Sequence, residues 1–255
     1  MKKISICVPT ATLKNVNDEE NGVVLLKNLL STIENQTFDD YDVIISDHSI
    51  DDKIESELNN WTHLDLKYYR NKEGIGSPAI NMNYAISKSK SEFIKIMFQD
   101  DFFCDNQTLE FIYNNIENYK FGFVGSFACS ENNNEKLFNS FLPHWISEEY
   151  LLNGINTFGG PSTMFFKNED NFFDTNLCWL NDTEFYYRLY KKYGNPLLIT
   201  KNMVVQRLRN SGLSNTIPTD LRNEEGIYVR NKHTNGEINI KDYPHIHNRI
   251  KKYQK

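Results

Sequence analysis

No two cysteines stand close together in this chain; Cys7, Cys104, Cys129 and Cys178 are widely spaced. That spacing argues against both a zinc site and a disulfide scaffold. Long apolar runs are also missing. The first, Ile4 to Val8, is stopped by Pro9, too short for a signal-peptide core or a membrane span. The setting expected from these absences is the reduced cytoplasm. No internal segment concentrates basic charge, and 28 Lys and Arg against 34 Asp and Glu give a formal charge of −6. A nonspecific nucleic-acid binder, which needs a basic face to displace counterions, is excluded. Among the histidines only His245 and His247 are near neighbours in sequence, and a surface pair explains them more simply than a metal does. There is no internal repeat and no low-complexity linker.

What is present suits one body of substantial core. The 255 residues are 39% hydrophobic and include 17 Phe and 14 Tyr, enough to bury rings throughout. The first half alternates strand and helix patterns. Ile4–Pro9, Tyr41–Ser46, Leu66–Tyr69, Phe93–Phe98 and Gly122–Cys129 read as strands, with Lys95 the polar exception in the fourth. Val23–Glu34 carries Leu26, Leu29, Leu30 and Ile33 at helical spacing, and Asp51–Trp61 is a second helix. Ser77-Pro78 reads as an N-cap followed by Pro at the first helical position, opening a helix to Lys88. Asp105 or Asn106 caps a further helix to Ile116. Thr10–Asn21 is a long polar connection. The second half is less regular: Glu131–Glu135 reads as a polar turn, Ser147 as the cap of a short helix, and Ser162–Phe166 as a strand behind the break at Gly159-Gly160-Pro161. A helix follows from Asn181 or Asp182 to Tyr193, then an extended Leu197–Leu208.

Repeated β-α-β order predicts an open, mostly parallel sheet, and such sheets bind ligands beyond the carboxyl ends of their strands. Three strand ends carry polar residues: Pro9-Thr10, Ser46-Asp47-His48-Ser49 and Gln99-Asp100-Asp101. Carboxylate oxygens are hard ligands suited to Mg²⁺ or Mn²⁺, so Asp100 and Asp101 are candidates for a metal and diphosphate. The plainer reading is a turn at Asp101 before the next helix. Asp47 can accept from a base or ribose, or close an Asx turn on Ser49. Asp182 can serve as a base or simply cap its helix, with Glu184 in the first turn pairing Arg188 one turn on.

Ile4–Pro9, Gln36-Thr37-Phe38, Val43-Ile44-Ile45-Ser46-Asp47-His48-Ser49, Asn81, Phe98-Gln99-Asp100-Asp101 and Asn181-Asp182-Thr183-Glu184 with Arg188 together resemble the family 2 glycosyltransferases of GT-A fold. The resemblance spans Ile4 to Leu208. It implies a Rossmann-like, mixed, mostly parallel α/β sheet flanked by helices, with a less regular C-terminal acceptor-side part. Residues 1–129 would form the nucleotide-sugar-binding half. Residues 130–255 would form the acceptor-binding half and a C-terminal helical tail, all in one catalytic domain. By the same resemblance Pro9, Thr10, Asp47, Asn81 and Asp100 bind the donor.

 
Asp101, with Asp100, holds Mn²⁺ or Mg²⁺; Gly160, Pro161, Ser162 and Glu184 lie on the acceptor side; and Asp182 is the general base, with Glu184 its substitute.

The chain departs from the family pattern at Phe98, where a further Asp is usual, at Ile80, where Arg often stands, and at Asn181, which replaces an acid. The function these residues imply is metal-dependent, inverting transfer of a sugar from a nucleotide-sugar, by default a UDP-sugar, to a hydroxyl of a glycan or lipid-linked glycan. Arg207 and Arg209 are possible helpers to the leaving group. Two other readings stand beside it. Gly74-Ile75-Gly76-Ser77-Pro78-Ala79 matches GxGxxA ahead of a helix, as in an NAD-dependent oxidoreductase, although Arg70 to Glu73 separate it from the strand. A non-catalytic sugar-nucleotide-binding domain is the third. Lys241, Arg249, Lys251, Lys252 and Lys255 face only Asp242 near the C-terminus. A solvated tail is the plainer reading, and weak contact with anionic headgroups at the inner face of the membrane the sharper one. One ring of Phe185-Tyr186-Tyr187 is a candidate to stack on the acceptor sugar.

Overall fold

The first strand shows how the sequence builds the sheet. Side chains alternate across a strand, and in β1 (Ile4–Thr10) Ile4, Ile6 and Val8 enter one apolar core while Cys7 enters the other. Every residue of β1 is buried, as a strand covered on both faces requires. The computed structural model describes residues 2–12, 22–130, 133–209, 212–234 and 236–253. Most of the Thr10–Asn21 connection lies outside the described residues.

The remaining strands are β2 (Tyr41–Asp47), β3 (Leu66–Arg70), β4 (Phe93–Ile96), β5 (Phe102–Phe103), β6 (Phe121–Ser130), β7 (Asn133–Phe141), β8 (Met164–Lys167) and β9 (Leu197–Leu208). They form one mixed sheet in the order β3-β2-β1-β4-β8-β6-β9-β5, with β7 paired to β6. The first four strands are mutually parallel and β6 runs parallel to β9. Strand β8 is antiparallel to both β4 and β6.

Helices cover both faces. α1 (Gly22–Glu34) buries Leu25, Leu26, Leu29, Leu30 and Ile33 on the first core, with α2 (Lys53–Leu58) and α4 (Thr108–Asn115) beside it. α3 (Pro78–Lys88) is capped by Ser77, whose side chain accepts from Ile80 N, and it packs on the second core with α5 (Glu148–Leu152) and α6 (Asn181–Tyr193). A third core joins Leu177, Cys178 and Leu180 to α8 (Thr219–Thr234) and α9 (Pro244–Tyr253), which follow the short α7 (Leu213–Thr216). No helix among the described residues is long and apolar enough to cross a membrane.

Several expectations need correction. Residues 131 and 132 of the expected polar turn lie outside the described residues, and Asn133–Glu135 belong to β7. That strand pairs with β6 alone, so its exposed residues need no apolar alternation. Neither Asn181 nor Asp182 caps α6: its N-cap is Leu180, without a side-chain cap. The C-terminus is not a free basic tail, because α9 docks through Ile246, which is fully buried, and Arg249 donates to Asn176 O at 2.5 Å.

Candidate active site

Strand β1 lies between β2 and β4, so three strand ends meet side by side. Thr10 stands opposite Asp47 in the parallel register. Gln99, just past β4, binds the Thr10 hydroxyl, accepts from Ala11 N at 2.7 Å and donates to Ala11 O at 3.0 Å. Pro9 is tolerated in a central strand because pairing with β4 has already ended at Cys7 and Ile96, so its missing N–H breaks no ladder there.

Asp47 is fully buried. One oxygen closes the Asx turn, accepting from Ser49 N at 2.8 Å, and the other accepts from Tyr68 OH at 2.8 Å, with Arg70 Nε 3.5 Å away. The structure therefore supports the turn reading of Asp47, and Tyr68 and Arg70 extend its polar system outward. Asn81 is equally engaged. It donates to Thr10 O at 3.1 Å and accepts from Ser46 Oγ at 2.5 Å, tying α3 to the ends of β1 and β2.

Asp100 is half-buried and Asp101 buried. Asp101 accepts from Arg207 N at 3.0 Å, and Arg209 Nη1 lies 3.6 Å from Asp100 Oδ2. Of the two arginines expected as helpers, Arg209 thus brings its guanidinium to the Asp100 carboxylate, whereas Arg207 meets Asp101 through its backbone N–H and donates its Nε to the Asp100 carbonyl at 3.2 Å. Burial raises both acids, and for Asp101 the neighbouring Asp100 adds to the rise, which reaches about 7. Beneath them Lys95 is almost wholly enclosed and donates to Ile96 O at 2.9 Å and to Ser162 O. Burial lowers its ammonium to about 7. Two adjacent hard oxygen donors fit a divalent cation, whose charge would offset the cost of burying them. Among the described residues no cluster of three or more His, Cys, Asp or Glu side chains forms a ligand set. A cation here would rely on the pair and on oxygens of a bound diphosphate.

Asp182 sits in the first turn of α6, half-buried. It accepts from Thr183 N at 2.7 Å and from Asn156 Nδ2 at 2.8 Å, and burial raises its carboxyl to about 6. The same Asn156 amide donates to Gly159 O at 2.9 Å. Three residues on, Ser162 Oγ accepts from Phe98 N at 2.9 Å, two residues before Asp100. Three residues of chain span at most about 10 Å, so the loop beneath Asp182 ends against the strand end that carries Asp100 and Asp101.

The remaining acceptor-side residues separate into two groups. Gly160 and Pro161 are part-exposed on that loop, and a Cβ at Gly160 would run into the Gln206 amide. Ser162 is fully buried, with its hydroxyl committed to Phe98 N and to Asp101, so it supports the acids instead of facing an acceptor. Glu184 is also fully buried. It bonds Arg188 Nε at 2.9 Å, Lys232 Nζ at 2.7 Å and His233 Nε2 at 3.1 Å. These partners hold its carboxyl at about 2, against the opposing pull of burial, which makes it a poor base and removes it as a substitute for Asp182. Phe185, Tyr186 and Tyr187 are all buried, so none offers a stacking face.

The Glu184 cluster has an acid signature. Its folded pKa lies below the unfolded value, so its stabilisation is complete above about 4.3 and is lost as pH falls toward 2. Glu184→Gln is expected to lower the unfolding free energy at pH 7 and to flatten its decline between pH 5 and 2, read by denaturant unfolding at each pH.

The glycine motif does not make a dinucleotide turn. Residues 71–77 lie between β3 and α3, Gly74 and Gly76 adopt positive φ (59° and 94°), and Gly76 N points to His48 Nδ1 at 3.4 Å. The loop thereby packs against the end of β2.

The family model for glycosyl transferase family 2 matches residues 19–207, well over half of the chain. The chain belongs to this family. A GalNAc(5)-diNAcBac-PP-undecaprenol beta-1,3-glucosyltransferase of Campylobacter jejuni is 31% identical to this family 2 chain over 103 residues, which cover 40% of this chain and 30% of that relative. The match therefore spans less than a third of the relative's length. Among solved structures, S. aureus TarS 1-349 in complex with UDP-GlcNAc has a TM-score of 0.68 at 16% identity, covering 96% of this chain and 70% of that one. The mannosyltransferase PcManGT from Pyrobaculum calidifontis, in complex with GDP-Man and Mn2+, has a TM-score of 0.59 at 14% identity, covering 98% and 70%. At these identities the likeness shows a shared fold.

Sequence reasoning gave no role to Gln99, Tyr68, Arg70 or Asn156. Gln99 lay inside the motif and Lys95 broke an apolar run, and both were visible signals. Asn156 carried none, because its partner Asp182 is 26 residues away.

Proposed function

We propose that this family 2 chain is a metal-dependent, inverting glycosyltransferase. It moves a sugar from a nucleotide-sugar, with UDP the nucleotide to test first, to a hydroxyl of a glycan or lipid-linked glycan. The observation that carries the reading is Asp182, part-exposed with its carboxyl near 6, on a loop that ends against the Asp100-Asp101 strand end. The relatives lend support through what they are named for: lipid-linked glucosyl transfer in one, UDP-GlcNAc in another, GDP-Man with Mn2+ in a third.

In this reading residues 1–129 bind the donor and residues 130–255 the acceptor. Pro9, Thr10, Asp47 and Asn81 shape the floor under the nucleotide, Asp47 acting through Tyr68 and Arg70. Asp100 and Asp101 would hold Mn²⁺ or Mg²⁺, which supplies positive charge to the leaving diphosphate. Arg209 adds charge on the same side. Asp182 takes the proton of the acceptor hydroxyl as its oxygen bonds the anomeric carbon and the bond to the diphosphate breaks. Attack from the face opposite the leaving group inverts that carbon. The protein would work at the cytoplasmic side of a membrane, where a lipid-linked acceptor presents its glycan.

Titration with UDP, with and without Mn²⁺, and with NAD tests the reading. UDP binding that tightens at least about tenfold with Mn²⁺ is expected. NAD binding without UDP binding would favour the oxidoreductase, and UDP binding with no turnover of any nucleotide-sugar would favour a binding domain.

A further inference from the structure

The chain enters α6 without a backbone ladder. Cys178, Trp179 and Leu180 precede the helix, and their three N–H groups all donate to one side chain, Glu225 of α8, at 2.8, 2.8 and 2.9 Å. Glu225 is fully buried, and its acceptor-only carboxylate suits three converging donors. Asp182 follows two residues after Leu180. Two residues further on, Glu184 is gripped by Lys232 and His233 of the same α8. One helix therefore holds the segment on both sides of Asp182, and that helix lies beyond residues 19–207, the stretch that matches the family model.

We propose that Glu225 is the positioning residue for Asp182: by fixing the three N–H groups that lead into α6, it sets where the base stands and how closed its surroundings are. The proposal rests on the reading of Asp182 as base, yet its test does not. Neighbouring Glu224 supplies the control, because it does the same work elsewhere, accepting from His245 N at 2.7 Å at the start of α9.

Glu225→Gln keeps the shape but turns an NH₂ group toward at least one of the three donors. The entry segment should then loosen and admit water to Asp182, whose raised carboxyl depends on burial. The charged and titratable groups around the pair are few. Tyr186 faces Asp182 from its own helix, and Arg249 and Tyr253 of α9 and the Cys178 thiol face Glu225.

The experiment is a side-chain ¹³C titration of Asp182 in the full chain, with the signal assigned through Asp182→Asn. In Glu225→Gln the Asp182 pKa is expected to fall by about one unit toward its ordinary value, while Glu224→Gln leaves it in place. An unchanged Asp182 titration in Glu225→Gln overturns the proposal, as does an equal fall in both variants. If Glu225→Gln does not fold, amide exchange of the native chain decides. Amides of residues 178–180 as slow as those inside α6 support the role, and amides as fast as open chain overturn it. Loss of sugar transfer in Asp182→Asn is a separate result that bears only on the base itself.

Discussion

Asp182→Asn is expected to bind UDP as the native protein does and to transfer sugar at least about 100-fold more slowly. The substitution keeps the size of the side chain and an oxygen for Thr183 N, but removes the group that takes the acceptor proton. With the native carboxyl at about 6, turnover should fall as pH drops through 6, because the protonated acid cannot accept. The same shift makes a second, opposite prediction for stability. Here the folded pKa lies above the unfolded value, so ionisation disfavours the folded state, weakly at first above about 3.9 and fully above 6. Asp182→Asn, which never ionises, should therefore melt at a higher temperature than the native chain at pH 7. An enzyme often holds its reactive group at such a cost in stability. Undiminished transfer by the Asn variant would remove the base assignment.

The second large effect concerns Asp101. Asp101→Asn should cost at least about 100-fold in Mn²⁺-supported UDP affinity, since a neutral amide replaces one of two hard donors. Its oxygen can still accept from Arg207 N, so β9 stays in place. In the native chain Asp101 lies near 7, raised by burial and then by Asp100, so protons and cations compete for it around neutrality. The gain from Mn²⁺ should accordingly grow between pH 6 and 8. Titrating both proteins with UDP at the two pH values reads this directly. A variant with the native dependence on Mn²⁺ and pH would place the cation elsewhere.

The central sheet was legible because buried parallel strands write themselves as apolar runs. Ile4–Thr10, Tyr41–Asp47 and Phe93–Ile96 stand within a residue or two of where the sequence puts them, and Ser77-Pro78 marks the start of α3. Edge and C-terminal elements were less legible for a physical reason. β7 pairs on one side and needs no hydrophobic period, while the buried face of α8 includes Glu224 and Glu225 beside Leu221, Tyr228 and Val229, which hides its periodicity. In the site, motif order located the strand-end acids. What it could not give was the partner of each: Lys232 and His233 close on Glu184 beside Arg188, Asn156 holds Asp182, and Glu225 takes the N–H groups of the residues that lead into α6. Those partners lie tens of residues away, and only folding brings them near.

Strand β8 carries a mechanical consequence. It is hydrogen-bonded to β4 on one side and to β6 on the other, and it begins where the Pro161–Thr163 turn ends. A strand clamped on both edges cannot swing as a rigid flap. The spacing between the loop under Asp182 and the Asp100-Asp101 strand end is thus built into the sheet like a fixed gauge, and under the proposed function any adaptation to a larger or smaller sugar would come from side chains and surface loops above it.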